Sequence, residues 1–115
     1  MLPVVKYLLK INTSILNDMK AVFIAYNQAL SDEVDSALQI AGVKGFSKWA
    51  DMLGAGSQKG EPHLGTHTWP SMNSGILTIV DDDKVDKILS YINQINKVAE
   101  EQGIHAFVWN VERMV

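Results

Sequence analysis

Three side chains in one short stretch, Glu61, His63 and His67, bring a carboxylate and two imidazoles close in sequence, a set that suits zinc, copper or nickel. The H-x3-H spacing puts both rings on one face only in a helix. Pro62 and Gly65 argue against a helix, so a flexible loop would have to carry His63 and His67 to one ion, with Glu61 or His105 completing the ligands. Two loop histidines are more often surface residues or hydrogen-bonded turn residues. Just upstream, GAGSQKG over Gly54–Gly60 offers backbone N–H groups and Lys59 to a small anion. It lacks the spacing and the Lys–Ser/Thr end of a Walker loop and opens no predicted helix, so it also reads as a flexible turn. Trp69, beside Pro70, is a candidate anchor for a partner protein, whereas Trp109 in an apolar run reads as core or subunit interface. Asp81–Asp83 has no mid-loop glycine of a calcium hand and reads as helix capping. No catalytic residue is assigned, because the chain has no nucleophile elbow, no HExxH and no cofactor fingerprint. Acid–base work by His105 with Glu61 or Asp51 at a subunit junction is the one enzymatic arrangement worth weighing.

These residues need a scaffold, and the hydropathy pattern supplies one. Met19–Tyr26 (MKAVFIAY) is apolar on both alternating faces, as a strand is when both sides of its sheet are covered. Ser31 offers an N-cap, Asp32, Glu33 and Asp35 suit the positive end of a helix, and Val34, Leu38 and Ala41 recur at helical spacing up to Gly42. Val43–Leu53 reads as a second, partly solvated strand. Between Gly54 and Ser74 the periodicity vanishes, and this stretch holds four of the eight glycines and two of the three histidines, which marks a long functional loop. Ile76–Val80 reads as a buried strand. Asp83 is the expected N-cap of a long helix with an apolar stripe of Val85, Ile88, Leu89, Ile92, Ile95 and Ala99, stopping at Gly103. Ile104–Val111 is the last strand.

Strand, helix, strand, loop, strand, helix, strand predicts an α+β, ferredoxin-like βαββαβ domain: both helices lie on one face of a four-stranded antiparallel sheet. The opposite face, apolar in MKAVFIAY and IHAFVW, needs a cover, and sister subunits are the economical one. Residues 19–115 form this domain and residues 1–18 an N-terminal extension, either a short amphipathic helix or an edge strand. In a second reading Met19 is the natural initiator.

Composition narrows the partners. The 115 residues carry 10 cationic and 13 acidic side chains, a net charge of −3, and Arg113 is the sole arginine. That lacks the basic footprint of a nucleic-acid reader. With no cysteine there are no disulfides, iron–sulfur clusters or thiolate zinc sites, and the cytoplasm is the expected compartment. No run approaches the ~18 apolar residues that span a bilayer.

From Met19 onward the chain resembles the PII-like signalling proteins. SDEVDSALQIAGVKGF is similar to their first helix and the turn into the second strand, GAGSQKG to the glycine-rich entry of their long T-loop, and ILTIVDDDKVDKILSYI and HAFVWNVERMV to the second half. The resemblance implies a homotrimer with its sheets facing inward, ligand sites in the clefts between subunits, and a loop that docks on a membrane transporter or an enzyme. Ligand positions carried over are Gly54, Gly56, Gln58, Lys59 and Gly60, with Gln58 at the family's metal–nucleotide contact. Nucleotide-binding members also carry a basic residue before that glutamine, a phosphate-cradling loop with a lysine after the second helix, and C-terminal arginines. Here Ser57 and the unrelated EEQGIH of Glu100–His105 stand in the first two places, and no arginine follows Arg113. Each missing charge-assisted contact removes on the order of 1.5–3 kcal/mol, so ATP binding is not carried over. The ligand is expected to be a nucleotide or a divalent metal ion. The metal alternative is a trimer of the related copper-tolerance type, with Glu61, His63 and His67 as ligands.

Overall fold

The computed structural model describes residues 18–56, 61–99 and 102–115. In chain order it has β1 (Met19–Asn27), α1 (Ser31–Ile40), β2 (Ser47–Met52), β3 (Asn73–Asp81), α2 (Val85–Val98) and β4 (Ile104–Asn110), with 3-10 turns at Gln28–Leu30 and Asp82–Lys84. The strands form one sheet of order β2-β3-β1-β4 in which every neighbouring pair is antiparallel. That is the expected ferredoxin-like α+β fold. Of the extension at residues 1–18, all but residue 18 lies outside the described residues.

Strand alternation decides where the core sits. Val22, Ile24 and Tyr26 of β1 turn to the same face as Ile76 and Thr78 of β3, and all five are at most 1% exposed. Val34 and Leu38 of α1 and Val85, Ile88 and Ile92 of α2 close over them. Burying each such aliphatic side chain is worth about 1.5–3 kcal/mol relative to leaving it in water, so this layer dominates the stability of the subunit.

The helix ends depart in part from the sequence expectation. Gly42, at φ 81°, stops α1 as expected: its N–H donates to Gln39 O at 3.1 Å and the Val43 N–H to Leu38 O at 3.0 Å, so the last carbonyls are satisfied. Neither Ser31 nor Asp83 caps a helix. Ser31 is already the first residue of α1, and Asp83 lies inside a 3-10 turn whose tighter bonding leads straight into α2. The cap belongs to Asn27, whose side chain accepts from the Ala29 N–H at 3.0 Å. α2 ends at Val98 rather than running to Gly103, which instead turns the chain into β4 at φ 83°.

β2 is shorter than Val43–Leu53 and sits at the sheet border with its residues largely exposed. Its Lys48 is bound to Asp35 of α1 at 3.1 Å. Partial burial draws the Lys48 ammonium down, but the Asp35 hydrogen bond and the nearby Tyr26 outweigh it and hold the group above its ordinary value. The Tyr26 hydroxyl makes no hydrogen bond among the described residues.

The face opposite the helices is apolar and uncovered. Across the strands, Ser47, Leu77, Phe23 and Phe107 form one row, Ile79, Ala21 and Trp109 a second, and Trp49, Gly75, Ala25 and His105 a third. Phe107 is 56% exposed, Trp109 50%, Trp49 48% and Ile79 38%. Trp109 is therefore not in the subunit core. No helix among the described residues is long and apolar enough to cross a membrane.

Candidate functional site

All the connections that bear on the long loop meet at one end of the sheet, where β1 stops, β3 starts and β4 begins. Gln28, just past β1, organises this end. Its N–H donates to Met72 O at 2.9 Å, and its Oε1 accepts from the Asp51 N–H at 2.7 Å and from Ser74 Oγ at 3.5 Å. Asp51 sits at the irregularity that ends regular β2–β3 pairing, in the left-handed region at φ 57°, which aspartate tolerates better than most residues. Asn27 N–H donates to Gly103 O at 3.2 Å and brings the entry to β4 to the same place.

Above this base the loop is not one featureless excursion. Gly54 and His63 form an antiparallel bridge, with N–H to carbonyl distances of 2.8 and 2.7 Å in the two directions. The bridge closes off a first arm, of which residues 55–56 and 61–62 are described. The His63 ring Nδ1 lies 2.6 Å from Asn73 Oδ1; a carboxamide oxygen only accepts, so Nδ1 carries the proton and donates. A Cβ on Gly54 would stand 2.4 Å from Asn73 Nδ2, so any other residue here would push the Asn73 amide aside.

A second arm follows. Gly65 N–H donates to Ser71 O at 3.1 Å, Thr66 N–H to Trp69 O at 2.8 Å, and Trp69 N–H to Thr66 Oγ1 at 3.0 Å, which makes residues 65–71 a small hairpin. Gly65 takes φ 64°, and a Cβ there would meet Met72 Sδ at 2.9 Å.

The residues expected to carry function are thus divided. Gly54 is half-buried in the bridge, Gly56 is exposed in the first arm, and Gln58, Lys59 and Gly60 lie outside the described residues. Glu61 is exposed on the first arm, His63 is half-buried at the corner between the arms, exposed His67 is in the turn of the hairpin, and Trp69 is half-buried behind it. His105 is on the open sheet face, its ring 6.5 Å from that of Phe107 and nearly parallel to it. Among the described residues no group of three or more His, Asp or Glu could hold a metal ion, so Glu61, His63 and His67 are not gathered into a centre. A shallow groove of about 370 Å³ lies between α1 and α2, lined by Ala37, Ile40, Tyr91 and Ile95 among others, and takes no residue from the loop.

Sequence reasoning missed Gln28 and Asn73, and weighed Asp51 only as an acid–base partner of His105. The available signal was weak: polar Asn27-Gln28 directly after an apolar strand marks an end that has backbone groups to satisfy.

Two helices on one side of an antiparallel sheet, with a loop bound down at one end, define a ferredoxin-like domain. The model of the nitrogen regulatory protein P-II family matches residues 19–115, and the chain belongs to that family. Its proteins are regulatory signal-transduction proteins rather than enzymes, so the acid–base reading of His105 is set aside. A comparison with curated protein sequences gave no significant match. Among solved structures, CPII, a nitrogen regulatory PII-like protein from Thiomonas intermedia K12 bound to ADP, AMP and bicarbonate, is similar with a TM-score of 0.67 and 20% identity, over 81% of this chain and 85% of its own. The B. subtilis GlnK–ATP complex is similar with a TM-score of 0.62 and 18% identity, over 84% of each chain. A PII-like signaling protein from Thermus thermophilus gives a TM-score of 0.59 and 20% identity, over 81% of this chain and 86% of its own. At these identities the likeness concerns the fold.

Proposed function

We propose that the protein is a cytoplasmic PII-like regulator: a homotrimer that binds a small anionic ligand of the nucleotide class beside Gly54–Gly60 and reports it to a partner, a transporter or an enzyme, through the 54–74 loop. The observation that supports this reading most is the uncovered apolar sheet face in a chain of the P-II family. Phe107, Trp109, Trp49 and Ile79 are far too exposed for a lone soluble subunit, and two further copies would bury them. Such an assembly also creates clefts beside the loop base. The nucleotides held by CPII and GlnK name the ligand class to try first. Because Ser57 and Glu100–His105 stand where nucleotide-binding members carry phosphate-gripping groups, AMP or ADP, with or without bicarbonate, is the better candidate over a triphosphate.

The mechanism is a population shift. A ligand that touches the glycine-rich arm in only one arrangement favours that arrangement by its differential affinity, and a partner resting on Trp69 and the exposed hairpin turn reads the result. Native mass spectrometry together with titration calorimetry against AMP, ADP, ATP, bicarbonate and divalent metals tests the reading. Trimers that take up a nucleotide are expected. Monomers, or trimers indifferent to every nucleotide, would overturn it, and tight zinc or copper uptake lost in the double variant His63→Ala/His67→Ala would restore the metal alternative.

A further inference from the structure

His63 is the residue the two arms of the loop share. It ends the first arm through its double backbone bridge to Gly54, and two residues later Gly65 opens the hairpin. Its ring is fixed to the first residue of β3 by the 2.6 Å bond to Asn73. It also reaches the turn before β4: a Cβ on Gly103 would lie 3.8 Å from the His63 Cε1. The Asn73 amide is in turn packed against Gly54, so the three residues 54, 63 and 73 close on one another. Met72, next to Asn73, holds the hairpin from the other side, through Gly65 and through the Gln28 N–H. Any movement of the Gly54–His63 bridge therefore pulls on a chain that leads at once into the hairpin. The Asn73 bond is the side-chain tie that sets where the bridge sits relative to the sheet.

We propose that His63 is a positioning residue, and that its hydrogen bond to Asn73 is the joint through which the Gly54–His63 bridge and the 65–71 hairpin move together. The mechanical part stands by itself; that a ligand works the joint rests on the reading of Gly54–Gly60 given above. An imidazole is well suited to the task. It reaches Asn73 with Nδ1 while its far edge packs toward Gly103, so one ring holds loop, strand and turn in register. A joint of this strength should open readily. One net hydrogen bond governs an equilibrium by about 3- to 10-fold, enough to bias the loop without locking it.

The test is amide hydrogen exchange on the full chain without ligand, comparing the wild type with His63→Ala, Asn73→Ala, the double variant and His63→Asn. The asparagine amide nitrogen occupies nearly the place of the imidazole Nδ1 and can still donate to Asn73. His63→Ala should speed exchange about 3- to 10-fold at the Gly54 and His63 amides of the bridge and, by a similar factor, at the Gly65 and Thr66 amides of the hairpin. The double variant should be no faster than either single one, and His63→Asn should return both arms toward wild-type rates. Hairpin amides indifferent to His63→Ala would overturn the proposal, as would additive effects in the double variant or no rescue by His63→Asn. Adding ADP or AMP separates the two ideas. A wild type that binds neither removes the ligand reading and leaves the exchange result standing. A wild type that binds, and whose hairpin gains protection that His63→Ala abolishes while the first arm stays protected, ties the two together.

Discussion

The two faces of the sheet are built by the same strands and have opposite fates. Facing the helices, Val22, Ile24 and Ile76 are completely buried within one subunit. On the other face Phe107 and Trp109 of β4 and Ile79 of β3 stand in water, and aromatic groups of that size normally dominate the surfaces where chains associate. A period-two element has to satisfy both faces, and this chain covers one of them only. Its fold is thus local, and in the proposed trimer its second core would be shared between copies. Stability of the subunit and stability of the assembly should respond to different substitutions even when those lie on adjacent residues.

The largest expected effect is on the helix-covered side. Ile24→Ala should lower unfolding free energy by about 2–5 kcal/mol, read as a lower denaturation midpoint, because the cavity would lie between β1 and both helices. The same substitution with an unchanged midpoint would mean that the helices do not close over β1. On the open side, Phe107→Asp should convert trimers to folded single subunits in sedimentation, leaving the secondary-structure signal of the subunit in place. A trimer that survives Phe107→Asp would show the two faces to be less separate than their exposures say. A smaller effect is expected from Thr78→Val. It keeps the shape but removes the 2.6 Å bond to Gly45 O, at a cost of about 0.5–1.5 kcal/mol at the β2 end of the covered face. The smallest is Lys48→Ala. The Asp35 pair is half in solvent, so less than about 1 kcal/mol should be lost at neutral pH. Since folding holds the Lys48 ammonium above its ordinary value, its contribution is complete at neutral pH and disappears as the pH climbs past that raised value. The wild-type and variant stability curves should therefore converge at strongly alkaline pH, and a gap that persists there would point to lost packing instead.

Much of this architecture could be read from the residues. MKAVFIAY and IHAFVW announce strands by alternation, and the stripe from Val85 to Ile95 announces α2, because periodic burial leaves a periodic trace. Gly42 was legible as a helix stop for a steric reason. What could not be read is whatever depends on long-range closure. Asn27 takes the capping role expected of Ser31 only because the chain tightens into a 3-10 turn first, and Asp83 loses its expected role the same way. The loop shows the limit most clearly. Glu61, His63 and His67 look like one constellation when counted along the chain, yet the Gly54–His63 bridge and the Gly65 hairpin place the two histidines on separate structures. Asn73 carries no motif, and its importance comes from a partner ten residues away.

The left-handed Asp51 has an effect beyond the loop it serves. β2 is an outermost strand, so its outer border offers unpaired backbone groups to any extended chain that drifts past. At Asp51 the backbone swings out of strand geometry after only a few residues, and a charged carboxylate sits at the kink. A stray segment would find a runway too short and too bent to settle on. The departure that ties this border to Gln28 thus also guards the protein against sticking to its own copies in the wrong way.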